Sequence, residues 1–297
     1  MPRRSVVALS LAGLALALWP QPRAAVSLAA FSGSYTWRMD DPAFGGLSGL
    51  ELASDGLGFA AVTDRGSVLT GRLQRDAQGV IVGIQAARLD PLRDGGGLPV
   101  RGLGADPEGL AQADDGRLFV SFEADHRIRS YAAPGAAAEA LPPHADFAAL
   151  QPNSGMEALA IDALGRLYTL PERSGRRDRP FPVYRFDGAW STPFQLPRDG
   201  DFLPVGADIG PDGRLYLLER DFRGLLGFYA RVSRFEIGED RAGPREVLYE
   251  TRLPFQNNFE AIAVWRDASG AIRFTLLSDD NFTGVLTTEF ADYRLPH

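Results

Sequence analysis

Eight acidic residues recur at matched places along the 297-residue chain. Glu108, Glu157 and Glu260 each open a short apolar run, and Asp64, Glu123, Glu172, Glu219 and Asp279 each close the apolar run that follows. Carboxylates brought together can ligate a hard cation through oxygen, or serve as acid and base on a substrate. The remaining composition narrows the chemistry further. All 31 basic residues are arginine, cysteine is absent, and the three histidines, His126, His144 and His297, stand alone. Without lysine there is no Schiff base and no P-loop lysine. Without cysteine there is no thiolate nucleophile, disulfide, iron–sulfur cluster or zinc–thiolate site. No Gly-x-Ser-x-Gly elbow and no His-Glu-x-x-His motif occurs, which argues against serine-hydrolase and zinc-protease chemistry.

The acids belong to a repeat. Leu47-Ser48-Gly49-Leu50 precedes the turn Ser54-Asp55-Gly56, and Pro107-Glu108-Gly109-Leu110 precedes Asp114-Asp115-Gly116. Met156-Glu157-Ala158-Leu159 precedes Ala163-Leu164-Gly165, Pro204-Val205-Gly206-Ala207 precedes Pro211-Asp212-Gly213, and Phe259-Glu260-Ala261-Ile262 precedes Ala268-Ser269-Gly270. Two apolar runs joined by such a turn form a β-hairpin. Further strand-like stretches follow each hairpin, giving about four strands per unit. The aligned positions are 60, 49, 48 and 55 residues apart, near the period of propeller blades, and no long amphipathic helix intervenes. The pattern predicts an all-β propeller of five four-stranded blades. Ser27 to Trp37 and Thr287 to Leu295 supply the strands that close the ring. Six blades stay open, since the longer first interval has room for a degenerate one, and two packed β-sandwiches are the competing architecture.

In an antiparallel hairpin the start of the first strand lies beside the end of the second, so both sets of acids should meet at one mouth of the channel. Crowded carboxylates repel and must be neutralised. A divalent cation such as calcium, held by Glu108, Glu157, Glu260, Asp64, Glu123, Glu172 and Glu219, would do this. So would a ring of ion pairs with Arg65, Arg173 and Arg220. The run Arg173-Ser174-Gly175-Arg176-Arg177-Asp178-Arg179 reads either as an anion-binding loop or as a solvated, salt-bridged one. The first and fourth units break the pattern with Ser48 and Val205. Their nearest acids, Glu51 and Asp208, lie three residues on, which on a regular strand is the opposite face unless a bulge intervenes.

At the start of the chain, Arg3-Arg4 precede an apolar run from Val6 to Leu18 and the small pair Ala24-Ala25, the order of an export signal over residues 1–25. The paired arginines also fit a twin-arginine signal. That apolar run is too short for a membrane span in the mature chain, residues 26–297, and the expected location is periplasmic or secreted. The formal net charge of −7 becomes −10 once Arg3, Arg4 and Arg23 leave with the signal, which argues against nucleic-acid binding.

Several of these segments together resemble a known family. They are Gly46-Leu47-Ser48-Gly49-Leu50 with Val62-Thr63-Asp64-Arg65-Gly66, Asp106-Pro107-Glu108-Gly109-Leu110, Met156-Glu157-Ala158-Leu159, Leu217-Leu218-Glu219-Arg220-Asp221-Phe222, and Asn258-Phe259-Glu260-Ala261-Ile262 with Ser278-Asp279-Asp280-Asn281-Phe282. In order and type they are similar to the phytase-like domain named for esterase-like activity of phytase. The resemblance spans roughly Phe44 to Leu295. It implies a propeller related to calcium-dependent phytases and lactonase-like propellers, with phosphoester or ester hydrolysis. With lysine absent, arginine alone could hold a phosphate. The expected function is an exported, metal-dependent hydrolase of a small anionic or ester substrate. Glu157, Asp279 and Asp280 are its candidate catalytic carboxylates, and Arg65, Arg173, Arg176 and Arg220 its candidate substrate ligands. The alternative is a noncatalytic propeller that binds a ligand or partner protein at the same mouth.

Overall fold

The computed structural model describes residues 27–151, 154–224, 227–251 and 257–296, so the expected export segment lies outside the described residues. Twenty strands make five four-stranded antiparallel sheets. β1 spans Ala30–Thr36. Blade 1 is β2 (Leu47–Leu52), β3 (Gly58–Thr63), β4 (Ser67–Arg75) and β5 (Ile81–Pro91). Blade 2 is β6 (Pro107–Gln112), β7 (Leu118–Phe122), β8 (Arg127–Tyr131) and β9 (Ala138–Ala140). Blade 3 is β10 (Ala158–Ile161), β11 (Leu167–Leu170), β12 (Phe181–Phe186) and β13 (Trp190–Leu196). Blade 4 is β14 (Leu203–Ile209), β15 (Leu215–Phe222), β16 (Phe228–Phe235) and β17 (Glu246–Glu250). Blade 5 is β18 (Asn258–Arg266), β19 (Ile272–Asp279) and β20 (Glu289–Arg294), completed by β1.

The hairpin signals correspond to real turns. Gly56, Gly116, Gly165, Gly213 and Gly270 all have φ between 68° and 88°, and each donates its N–H to a carbonyl three residues back. Only glycine takes that conformation without strain. The fourth strand of blade 5 arrives from the other end of the chain, β1 pairing with β20 from Ala30↔Arg294 to Thr36↔Glu289. That closure gives five blades, not six, and excludes separate sandwiches.

The apolar core is divided among the blade interfaces. One cluster joins blades 5 and 1 through Leu50, Phe59, Leu69, Leu277 and Phe290, and another joins blades 1 and 2 through Val62, Val68, Leu110 and Phe122. Blades 2 and 3 meet through Ile128, Leu159 and Tyr184, blades 3 and 4 through Phe181, Leu196, Leu217 and Phe235, and blades 4 and 5 through Val232, Ile262 and Phe274. Each buried leucine or phenylalanine contributes about 1.5–3 kcal/mol by leaving water. The first strands β2, β6, β10, β14 and β18 contact one another in ring order and form the channel wall.

They approach so closely that three wall positions must be glycine, among them Gly109, where a Cβ would stand 2.8 Å from the carbonyl oxygen of Glu157. A Cβ on Gly49 would stand 2.8 Å from the backbone nitrogen of Leu110, and one on Gly206 would stand 2.7 Å from the carbonyl oxygen of Glu260. A main-chain atom cannot turn aside as a side chain does. Gly206→Ala should therefore cost about 2 kcal/mol by overpacking, read as a lowered urea midpoint at unchanged slope.

Candidate functional site

The local geometry of the first strands explains how the acids are aimed. Pairing between first and second strands slips between Leu47 and Gly49, between Pro107 and Leu110, between Pro204 and Gly206, and between Phe259 and Ala261. A bulge inserts a residue and shifts the alternation of faces. Ser48 and Glu51, three apart, can thus both face the channel, while in blade 4 Val205 is buried in the core between blades 4 and 5 and Asp208 turns to the channel. Glu51 and Asp208 indeed line the cavity at the far end, contrary to the expectation for a regular strand. Between the two ends the channel narrows to a void of about 10 Å³, bounded by Gly49, Leu50, Gly109, Leu110, Leu159 and Gly206 among others.

At the near end, one residue per blade follows the same rule. Asp64, Glu123 and Glu172 donate their backbone N–H to the carbonyls of Gly46, Asp106 and Gly155, while Arg220 sits opposite Leu203 and Asp279 opposite Asn258. These five residues are structurally equivalent. The fourth is Arg220, not Glu219, which corrects the sequence alignment by one residue. In a strand a one-residue step reverses the face. Glu219 therefore points into blade 4, where it accepts from Arg231 at 2.9 and 3.0 Å, from Ser233 at 2.8 Å and from Arg245, with no exposed surface. Its oxygens are committed to a buried ion-pair cluster and are not available to a cation at the mouth.

Eight carboxylates do converge there: Asp64, Asp106, Glu108, Glu123, Glu157, Glu172, Glu260 and Asp279 act on one another electrostatically. Asp106 lies outside the repeated pattern of acids. The available signal was its position two residues before Glu108, which places both side chains on one strand face. Asp106, Glu108 and Glu123 each offer a carboxylate oxygen within 4.8 Å of the others. Ser48, one of the two members of the first-strand ring that are not glutamate, donates its hydroxyl to Asp64 at 2.6 Å. Asp279 accepts from the N–H of Asn281 at 2.7 Å, and Asp280 from those of Gly46 and Phe282, both at 3.1 Å.

Burial and mutual repulsion raise these acids together. Removal from water, followed by the charges of Glu260 and Asp106, pushes Asp64 up to about 7 despite the Ser48 hydrogen bond. Burial, with Asp106 and Glu172 beside it, pushes Glu123 up to about 7. Asp279 is pushed up to about 8 by burial and then by Glu260 and Asp64. Burial also lifts Glu108 well above the usual carboxylate range, with Glu157 and Glu260 adding to it, and lifts Glu157 likewise with Glu172 adding and Arg220 opposing.

Arg220 links this acidic cluster to an arginine-rich side. Its guanidinium pairs with Glu260, donates to Asn258 at 2.7 Å and lies 3.6 Å from Glu172. Burial would weaken its charge, but Glu260, Glu157 and Glu172 reverse that effect and hold it protonated. Beside it opens a cavity of about 710 Å³ lined by Arg173, Arg176, Arg177, Arg198, Arg220 and Arg223, with Glu172 and Glu260 on its border. Arg173 donates to Ser154 at 2.9 Å and to Glu172 at 3.3 Å. Arg176 and Arg177 are exposed and paired with Asp178 at 3.0 Å and Asp201 at 3.1 Å. Arg198 lies between β13 and β14, outside any repeated motif, so sequence spacing carried no signal for it. Arg65 does not line this cavity; it donates to the Pro42 carbonyl at 2.7 Å and lies 3.6 Å over the ring of Phe282.

Comparison with known proteins agrees with this architecture. An α-L-arabinofuranosidase from Podospora anserina superposes with a TM-score of 0.56 at 13% identity, covering 92% of this chain and 98% of that one. The catalytic domain of an α-L-arabinofuranosidase from Coprinopsis cinerea gives 0.56 at 12% identity, covering 91% and 98%. At such identity the likeness concerns the fold alone. No curated protein matches the chain by sequence. A family model, however, matches residues 42–282, which contain the bulged first strands, the acidic mouth and Arg220. The chain belongs to the phytase-like family, described as esterase-like activity of phytase.

Proposed function

We propose that this chain is an exported, divalent-cation-dependent hydrolase of a small anionic ester, either a phosphoester or a carboxylic ester. One observation carries the reading: an oxygen-only cluster, Asp106, Glu108 and Glu123, lies at the same mouth as a cavity lined by arginines. The donor set fits a hard cation such as calcium, since the cluster offers neither nitrogen nor sulfur. Asp106, Glu108 and Glu123 would hold it, with Glu157 and Glu260 near by. When bound, calcium supplies positive charge that polarises an ester oxygen and acidifies water.

The chain's own groups account for the remaining needs. Arg173, Arg176 and Arg223 present guanidinium forks to an anionic substrate. Arg220, already paired with Glu260 and near Glu172, fixes the boundary between the cationic and anionic sides. Asp279, held by the Asn281 N–H, would accept a proton in its ionised form, which it reaches near pH 8 in the metal-free chain, and Asp280 braces the loop through Gly46 and Phe282. The family membership supports ester hydrolysis, and the amino-terminal sequence supports export.

Two measurements test this reading. Asp64, Glu123 and Asp279 hold protons up to pH 7–8 in the folded chain but only to about 4 when unfolded. The folded state therefore binds more protons across that window, and the stability of the metal-free protein should fall as pH rises from about 4 to about 8. Calcium should raise the melting temperature, most strongly near pH 8, and Glu108→Gln should abolish that rise. An unchanged melt with calcium and with chelator would instead favour neutralisation by arginines.

Turnover of aryl phosphates, carboxylic esters and lactones should require calcium. It should fall by roughly a hundredfold or more in Asp279→Asn, the contribution typical of a positioned base. A wild-type rate no higher than that of Glu157→Gln would leave a noncatalytic binding propeller.

A further inference from the structure

The propeller has a second opening, which none of the chemistry above uses. The turns joining first and second strands of blades 1 to 4, with the end of β18 from blade 5, surround a cavity of about 760 Å³, separated from the acidic mouth by the channel's narrow waist. Five carboxylates line it: Asp114 and Asp115 stand on the turn of blade 2 and Asp162 pairs with Arg166, while Glu51 on β2 and Asp208 on β14 are buried, exposed by only 8% and 7%. Each of these last two is held from one side by the main chain: Glu51 Oε1 accepts from Gln112 N–H at 3.2 Å, and Asp208 Oδ2 from Val264 N–H at 2.6 Å. Among the described residues neither forms an ion pair with an arginine, and the charged group that bears on Glu51 is Asp208 itself.

The cations on the cavity wall are engaged elsewhere. Arg166 pairs with Asp162 at 2.7 Å and Glu239 at 2.6 Å, and Arg266 donates to the carbonyls of Gly270 and Pro211. Much of the remaining lining is aliphatic, with Leu52, Ile161, Ile209 and Val264 facing the same space. Buried carboxylates without a counter-charge are costly, and an evolved core would more cheaply be apolar. Charge and wall together define a complementary occupant: positive at one end and greasy along its body.

We propose that this opening binds an organic cation, an ammonium or guanidinium group on an aliphatic chain. The charged head lies between Glu51 and Asp208, and the chain lies along Leu52, Ile161, Ile209 and Val264. Calcium suits the site less than an organic cation, because one oxygen of each buried acid already accepts a backbone N–H and the aliphatic wall beside them offers no oxygen ligand. Leu164, 76% exposed on the turn that borders the cavity, extends the apolar wall outward for a longer chain. The proposal is independent of the hydrolase reading, since the waist separates the two cavities.

Titration of the full-length chain with hexylammonium, in chelator and again in calcium, tests it. Hexylammonium should bind and raise the melting temperature equally in both media, whereas hexanol and hexanoate should not. The double variant Glu51→Gln/Asp208→Asn should fold, keep its calcium response and bind hexylammonium at least about tenfold more weakly. Equal binding by the double variant, or no binding by the wild type at millimolar concentration, would overturn the proposal, as would a calcium response lost in the double variant. Should that variant not fold, a bromoalkylammonium reads the same site in the wild type through Trp265, which lines the cavity. Saturable quenching reversed by hexylammonium is expected, and quenching that neither saturates nor reverses would count against the site.

Discussion

Mutual repulsion among carboxylates governs the architecture of the mouth. Strands from five blades are pressed together until only glycine fits at Gly49 and Gly206, and the side chains they carry have little freedom to separate. Asp64, Glu108, Glu157, Glu260 and their neighbours are thereby forced into a common electrostatic field. The interblade packing of Phe59, Phe122, Phe181, Phe274 and their partners supplies the free energy that sustains this crowding. A single guanidinium, Arg220, answers several of these charges at once and stands where the other four blades carry an acid.

The blade pattern was legible in the sequence because each hairpin needs the same things: an apolar strand, a turn glycine, and a second apolar strand. Those demands repeat at a nearly constant interval, and closure by the terminal strands follows from counting them. The channel-facing residues were less legible, since pleat alternation depends on register and register depends on bulges. Glu219 and Arg220 are adjacent, and both are charged residues at the end of an apolar run. Nothing local shows which faces the mouth, because the choice is made by pairing with Leu203 and Pro204. Glu51 and Asp208 were obscured for the same reason, their bulges lying upstream at Ser48 and Val205. Asp106 was readable from its two-residue offset to Glu108, whereas Arg198 reaches the cavity only through tertiary placement.

The two halves of the mouth divide the sequence between them. Blades 1, 2 and 5 contribute Asp64, Asp106, Glu108, Glu123, Glu260 and Asp279, while blades 3 and 4 and their connections contribute Arg173, Arg176, Arg177, Arg198 and Arg223, with Glu157 and Glu172 of blade 3 on the boundary between the two sides. An opening with opposite potentials on its two sides orients a dipolar or anionic ligand before contact, and can do so over a Debye length. Lysine could not replace these arginines without loss, because paired acids such as Asp178 and Asp201 occupy part of each planar fork and leave other donors for a ligand.

The union of β1 with β20 has a kinetic corollary. Ala30 and Arg294 are neighbours in space but almost the whole chain apart, so this contact has the highest loop-closure cost in the molecule. During synthesis the ring must wait as an open arc until its final strand emerges. Afterward, detachment of this mostly exposed amino-terminal edge is the shortest route by which the circle can reopen. Asp292 of β20, which accepts from Thr275 at 2.6 Å and pairs with Arg75 of the first blade, lies beside that seam and ties blade 5 to blade 1.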